Sequence, residues 1–141
     1  MVVDASVVLK WFLPDEEYGE KALAILDRYI AEKLGLCAPS LLEYEIINGL
    51  VIAQRRGRIN METILPAIEG FLNLGIPMSG VESLYSRMMY FCQTFNLSAY
   101  DAAYVALAEQ EKISLITADL RLYQSVTKKL NWVKWIGEVT F

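Results

Sequence analysis

The stretch YDAAYVALAEQEKISLITADLRL, residues 100–122, decides the fold. Its first part is rich in Ala and follows Ser98, so that Ser98-x-x-Asp101 forms the capping pattern of a helix start. The short apolar run at 114–117 predicts a buried strand, and a second helix is expected after Asp119. Strands that alternate with helices in this way indicate a parallel sheet with helices on both faces.

The rest of the chain repeats this alternation. Strands are predicted at 1–3, 36–38, 76–78, 114–117 and 133–135. Helices are predicted at 6–13, 18–34, 41–56, 60–73, 81–95, 98–111 and 120–129. The helix at 41–56 is apolar nearly all round, with Ser40 as its expected cap, so we place it at the centre of the fold or at an interface. The absence of repeats and linkers predicts one domain over residues 1–141.

The composition excludes many kinds of catalytic site. The chain has 141 residues and no His, which excludes Ser-His-Asp and Cys-His catalysis and every zinc or haem site that needs His. Its two cysteines, Cys37 and Cys92, are too few for a Cys₄ site. Chemistry at neutral pH is therefore left to carboxylates, hydroxyls, Lys, Arg and any metal that they bind.

The cysteine count, the net charge and the hydrophobic content also limit the cellular compartment and the binding partners that we expect. Two cysteines in a chain of this size indicate reduced thiols. Asp4 interrupts the apolar N-terminus, and no apolar run reaches the ~18 residues of a membrane span, so we expect a soluble, cytoplasmic protein without membrane association. The net charge of −4 argues against a large duplex-DNA surface. A hydrophobic content of 55% leaves two alternatives, a large core or an apolar partner surface.

Three of the five Asp residues are predicted at one edge of the sheet. Asp4 and Asp119 follow strands, and Asp101 lies in the first turn of a helix. Taken singly, each is an ordinary helix cap. Taken together, acids at one edge repel one another unless they are protonated or bind a cation. Oxygen ligands alone select Mg²⁺ or Mn²⁺. Glu43 and Glu45 are further candidates, and the spacing does not choose between them.

Four segments resemble the signature blocks of PIN-domain ribonucleases, most closely the VapC-type toxins of toxin–antitoxin pairs. They are VVDAS (2–6), PSLLEYEIINGL (39–50), YDAAYVALAE (100–109) and LITADLRL (115–122). The resemblance implies a three-layer α/β/α fold with a parallel sheet of about five short strands. It also implies an endoribonuclease that depends on Mg²⁺ or Mn²⁺, a cognate antitoxin, an RNA substrate and a homodimer.

The resemblance further implies the catalytic and metal-binding residues. They are four acids that match the family positions: Asp4, Glu45, Asp101 and Asp119. The family's Glu-x-x-Asn pattern selects Glu45, with Asn48 one turn later, and Ser6 and Thr117 match hydroxyl positions near the metal. Asp4 and Asp101 are implied as direct ligands and Asp119 as a ligand directly or through water. Glu45 would orient the attacking water or hold a second ion.

Other functions fit the sequence less well. A haloacid-dehalogenase-like phosphatase requires Asp-x-Asp after the first strand, where this chain has Ser6, and the acid cluster of a phosphoreceiver is absent. The stronger alternative is a PIN-like module for housekeeping RNA processing or binding without catalysis. Basic residues are candidate phosphate contacts, although helix-end positions explain most of them equally well: Lys10, Arg55, Arg56, Arg58 and Arg121.

Overall fold

The computed structural model describes residues 1–141 and alternates seven α-helices with five short strands. The strands are Val2–Val3 (β1), Ala38–Pro39 (β2), Met78–Ser79 (β3), Leu115–Thr117 (β4) and Val133–Trp135 (β5). The helices are Ala5–Val8 (α1), Gly19–Ile30 (α2), Leu41–Arg55 (α3), Met61–Asn73 (α4), Tyr85–Phe95 (α5), Ala99–Glu111 (α6) and Leu120–Val126 (α7). Single 3₁₀ turns cover Leu9–Trp11, Val81–Ser83 and Ile136–Glu138. Every predicted element is present, and the α/β/α architecture is confirmed.

The strands are all parallel, but they do not form one continuous sheet. β1, β4 and β5 form a three-stranded sheet in the order β1–β4–β5, and β2 pairs with β3. A single bridge between Val2 and Cys37 connects the two groups. The predicted parallel arrangement of about five short strands is confirmed, with the pairing between β1 and β2 reduced to this one bridge. The second strand is short and contains Pro39, which has no N–H to donate, so its pairing with β1 does not continue.

Helix α6 is the central helix of the core. Residues 102–108 are all buried, and the helix packs against β1, β2, β4 and α5. Its many alanines allow this close approach because their side chains are small. The tight packing of α6 fixes the position of Asp101 in its first turn, at the carboxyl edge of the sheet.

Helix α3 is buried on one face only. Leu42, Ile46 and Leu50 are fully buried, whereas Tyr44 and Ile47 are exposed. Of the two expected positions, the centre of the fold is therefore excluded, and the apolar residues on the outer face lie at the surface, where the interface alternative places them. The expected cap is wrong, because Ser40 has helical dihedral angles and its side chain makes no capping hydrogen bond.

None of the helices combines the length and the apolar character that a membrane crossing requires.

Candidate active site

Two acids reach the carboxyl edge of the sheet because they cap the helices that follow β1 and β4. Asp4 comes directly after β1, and its Oδ1 accepts from the Val7 N–H at 3.2 Å. Asp119 follows β4, and its Oδ1 accepts from the N–H groups of Arg121 and Leu122 at 3.0 and 3.2 Å. The capping interpretation is confirmed for both residues. Capping also holds the two carboxylates at the edge where ligands bind in α/β folds.

Asp101 and Glu45 approach the same edge from the helices. The Asp101 N–H donates to the Ser98 hydroxyl at 3.1 Å, which confirms Ser98 as the cap of α6. Glu45 lies on α3, and its Oε1 accepts a hydrogen bond from the Tyr104 hydroxyl at 2.7 Å. Glu43 makes no side-chain hydrogen bond. The contact with α6 thus singles out Glu45 on geometry, where the spacing alone leaves both residues open.

Burial raises the pKa of three of the four acids, and the charge of a neighbouring acid adds to each rise. Burial raises the pKa of Asp4 to about 6, although the hydrogen bonds from Ser6 and Val7 favour the ionised form, and the charge of Asp101 adds to the rise. Burial also raises the pKa of Asp101, with a further contribution from Asp119. The pKa of Glu45 is raised by burial and by Asp101. The acids therefore form one electrostatic cluster.

Neutral hydroxyls hold the buried acid in place. The Ser6 hydroxyl donates to Asp4 Oδ1 at 2.5 Å and accepts from the Ala118 N–H at 2.9 Å. Thr117 is fully buried, and its Oγ1 accepts from the Asp119 N–H at 3.0 Å. Ser6 and Thr117 thus lie beside the acids, as expected. Asn48 is exposed one turn beyond Glu45 and makes no hydrogen bond.

No basic side chain pairs with any of the four acids. The salt bridges of the chain lie elsewhere: Lys10 contacts Glu16, Arg58 contacts Asp15 and Glu16, and Arg87 contacts Glu109. No three acidic side chains are close enough to form a preassembled metal cage. The donors are all carboxylate or hydroxyl oxygens, and Mg²⁺ is commonly held by one or two carboxylates with waters completing its shell. A hard divalent cation therefore fits this donor set.

A polar cleft of about 240 Å³ opens beside Asp101 and Asp119. Its polar lining is completed by Asn96, Ser98, Arg121 and Ser125. The Arg121 guanidinium makes no hydrogen bond, and its charge lowers the pKa of Asp101. Arg121 is thus the basic residue that the structure places next to the acids, whereas Lys10 and Arg58 are engaged by Glu16.

Tyr104 is a site residue that the sequence motifs do not predict. Its side chain is 2% exposed, and burial followed by the charge of Glu45 raises its pKa above the ordinary value, so the phenol remains a hydrogen-bond donor. The sequence could have indicated Tyr104 by its position, because it lies three residues after Asp101 in a helix rich in Ala and Val, where a buried Tyr hydroxyl needs a hydrogen-bond acceptor.

Comparisons with known proteins agree with this fold. The family model of the PIN domain matches residues 1–128. VapC ribonuclease Mb0985 of Mycobacterium bovis is 38% identical over 122 residues, which are 86% of this chain and 87% of that protein. Ribonuclease VapC9 of Mycobacterium tuberculosis shows the same 38% identity and the same coverage of 86% and 87%. Ribonuclease VapC3 of Pyrobaculum aerophilum is 28% identical over 124 residues, 86% of this chain and 91% of that protein.

The structural comparison concerns the fold alone. The crystal structure of PAE2754 from Pyrobaculum aerophilum has a TM-score of 0.65 with this chain, at 23% identity. The match covers 96% of this chain and 90% of the other.

Proposed function

Because this chain belongs to the PIN-domain family, in its VapC ribonuclease branch, we propose that it is a metal-dependent endoribonuclease and the toxin of a VapBC-type pair. The observation that carries the proposal is the cluster of Asp4, Glu45, Asp101 and Asp119. Burial and neighbouring acids raise the pKa of Asp4, Glu45 and Asp101, and none of the four acids forms a salt bridge. Acids kept together without a basic partner favour binding of a cation.

Mg²⁺ or Mn²⁺ is the proposed cofactor, held by Asp4 and Asp101 directly and by Asp119 directly or through water. A bound divalent ion supplies charge for the developing phosphorane and lowers the pKa of a bound water. Ser6 keeps the Asp4 carboxylate oriented towards the site, and Thr117 fixes the backbone that carries Asp119. Glu45 would orient the attacking water or hold a second ion.

The RNA strand is proposed to run through the polar cleft beside Asp101. A phosphodiester bound there would meet Asp101, Asp119 and the free Arg121 guanidinium, which line the same cleft. Arg is suited to phosphate because its planar guanidinium donates two parallel hydrogen bonds. The cleft therefore offers positive charge next to the acids, in a protein whose net charge is −4.

A cognate antitoxin and a second copy of the chain are the proposed protein partners. The exposed apolar residues of α3, Tyr44, Ile47 and Ile52, support the presence of a partner surface. The cytoplasmic location remains a prediction, supported by the free thiols of Cys37 and Cys92.

Replacing the direct ligands tests the proposed activity. Asp101→Asn and Asp4→Asn should each lower Mg²⁺- or Mn²⁺-dependent cleavage of single-stranded RNA by about 10²–10³-fold, as expected when a principal source of transition-state stabilisation is removed. Asp27→Asn, on the exposed side of α2, is the matched control and should cleave at the wild-type rate.

Two results contradict the proposal in different ways. Wild-type protein that binds RNA but never cuts it with either ion indicates the alternative, a PIN-like binding module without catalysis. Asp101→Asn protein that cleaves at the wild-type rate refutes the site instead. Titration calorimetry with Mn²⁺ separates the two, because only the catalytic interpretation requires metal binding that Asp101→Asn abolishes.

A further inference from the structure

Tyr104 connects the two helices that carry Glu45 and Asp101. It lies one turn after Asp101 in α6, and its hydroxyl reaches Glu45 Oε1 on α3 at 2.7 Å. The ring is packed in the core with 2% of its surface exposed. Because the ring is fixed on all sides, the position of its hydroxyl is fixed as well.

The bond to Tyr104 is the one side-chain hydrogen bond that Glu45 makes. A Glu side chain has several rotatable bonds and loses much conformational freedom when it is held in one position. A hydrogen bond from a buried neutral donor to a carboxylate is stronger than one between neutral groups. Tyr104 therefore determines the rotamer of Glu45, and it leaves Oε2 without a protein partner.

The same arrangement holds for Asp4 on the other side of the site. The Ser6 hydroxyl donates to Asp4 Oδ1, and Asp4 is thereby fixed. Glu43 provides the contrast, since it lies on the same helix as Glu45 without a hydrogen-bond partner. A hydroxyl partner thus distinguishes Glu45 from Glu43 on α3, as it also fixes Asp4.

We propose that Tyr104 is a positioning residue, which holds Glu45 Oε1 so that Oε2 faces the attacking water or a metal ion. This role rests on the proposed ribonuclease function. Tyr104 is a core residue of α6 and not one of the four acids, yet it would then contribute to the reaction. Tyr104 has no contact with substrate in this arrangement, and it acts only through Glu45.

The substitution Tyr104→Phe removes the hydroxyl and keeps the ring, so the packing of α6 is preserved. We expect the single-turnover cleavage rate at saturating Mn²⁺ and the Mn²⁺ affinity measured by calorimetry without RNA each to fall about 10-fold, at the lower end of the range found for residues that orient metal ligands. The KM for RNA should stay unchanged. Tyr123→Phe is the matched control, because the Tyr123 hydroxyl contacts Glu138 at 3.3 Å, away from the acids.

A double-mutant cycle separates positioning from a general structural role. In a Glu45→Ala background, Tyr104→Phe should change neither the residual rate nor the Mn²⁺ affinity by more than about 2-fold, because the acceptor of the Tyr104 hydroxyl is already absent. Glu45→Asp, which withdraws the carboxylate from the phenol, should reproduce the loss seen with Tyr104→Phe.

The proposal is overturned if Tyr104→Phe matches the wild type in both rate and Mn²⁺ affinity. It is equally overturned if the effects of Tyr104→Phe and Glu45→Ala multiply. Failure of the proposed function gives a different result, since the wild type then cleaves no RNA. The Mn²⁺ affinities of the four proteins in the cycle decide the role of Tyr104 even then.

Discussion

The Asp4 carboxylate has two roles, as the cap of α1 and as a proposed metal ligand. It is 6% exposed, caps α1 and accepts a hydrogen bond from Ser6. Its pKa of about 6 leaves most of the side chain ionised at neutral pH although burial opposes the charge. The metal-free protein is therefore destabilised at neutral pH by the residue that the proposed chemistry needs ionised.

The raised pKa of Asp4 predicts that the folding stability of the metal-free protein depends on pH. The pKa of Asp4 rises from 3.8 in the unfolded chain to about 6 in the native state, so between these values the native state binds more protons. Stability of the metal-free protein should therefore fall as pH increases from about 4 to about 6. Asp4 contributes up to about 3 kcal/mol of this loss.

Asp4→Asn should be more stable than the wild type at pH 7 by about 1–3 kcal/mol and should show a smaller fall between pH 4 and pH 7. Urea unfolding in the presence of a chelator measures both quantities. The effect should be absent in Asp27→Asn. An Asp4→Asn protein with the pH slope of the wild type contradicts the assignment of this slope to Asp4.

The residues of the site differ in how far the sequence predicts them. Asp4, Asp101 and Asp119 follow from local rules, because each lies at a strand end or in the first turn of a helix. Glu45 is not fixed by such a rule. Spacing does not choose it over Glu43, whereas the resemblance to the family's Glu-x-x-Asn pattern does, and the contact with Tyr104 agrees with that choice because it depends on how α3 is rotated against α6. Long-range packing of this kind leaves no short-range pattern.

Hydrophobic periodicity predicts which segments are helical, whereas the residue at which each helix ends depends on the local backbone conformation. Helix α2 stops at Ile30, before the predicted end at residue 34, because the chain turns through Glu32 with a φ of 56°. The predicted helix at 6–13 becomes α1 and a 3₁₀ turn. The break between the two sheets has a similar local cause at Pro39, and the hydrophobic pattern of the strand does not reveal it.

The start of α2 requires glycine for a steric reason. A Cβ at Gly19 would lie 2.0 Å from the carbonyl oxygen of Pro14. Gly19→Ala should therefore displace the loop before α2 and destabilise the protein by about 2–4 kcal/mol, as substitutions that overpack a buried site do. Chemical denaturation measures the loss.

Gly70 in α4 provides the opposite case within the same chain. No atom lies within 4 Å of a Cβ placed there, and alanine is favoured over glycine inside a helix. Gly70→Ala should stabilise the protein by about 0.5–1 kcal/mol. Equal effects of Gly19→Ala and Gly70→Ala would show that the contact with Pro14 does not constrain α2.

For the whole molecule, the distribution of charge matters more than its sum. The net charge is −4, yet the basic side chains pair with acids remote from the site and leave the four clustered acids unpaired. Repulsion between these acids therefore lowers the stability of the metal-free fold. A divalent ion that relieves their repulsion should stabilise the entire domain.

Mn²⁺ should therefore raise the melting temperature of the wild type. A ligand that binds only the native state adds about 2.7 kcal/mol at a concentration 100 times its Kd, and the shift should disappear in Asp4→Asn and in Asp101→Asn. NaCl at matched ionic strength is the necessary comparison, because general screening of a net negative charge also stabilises a fold. If NaCl raises the melting temperature equally, or if Asp101→Asn retains the increase, then Mn²⁺ stabilises the protein by general charge screening and not by binding at the acids. A shift that needs Mn²⁺, Asp4 and Asp101 together identifies the acid cluster as the place where the ion binds.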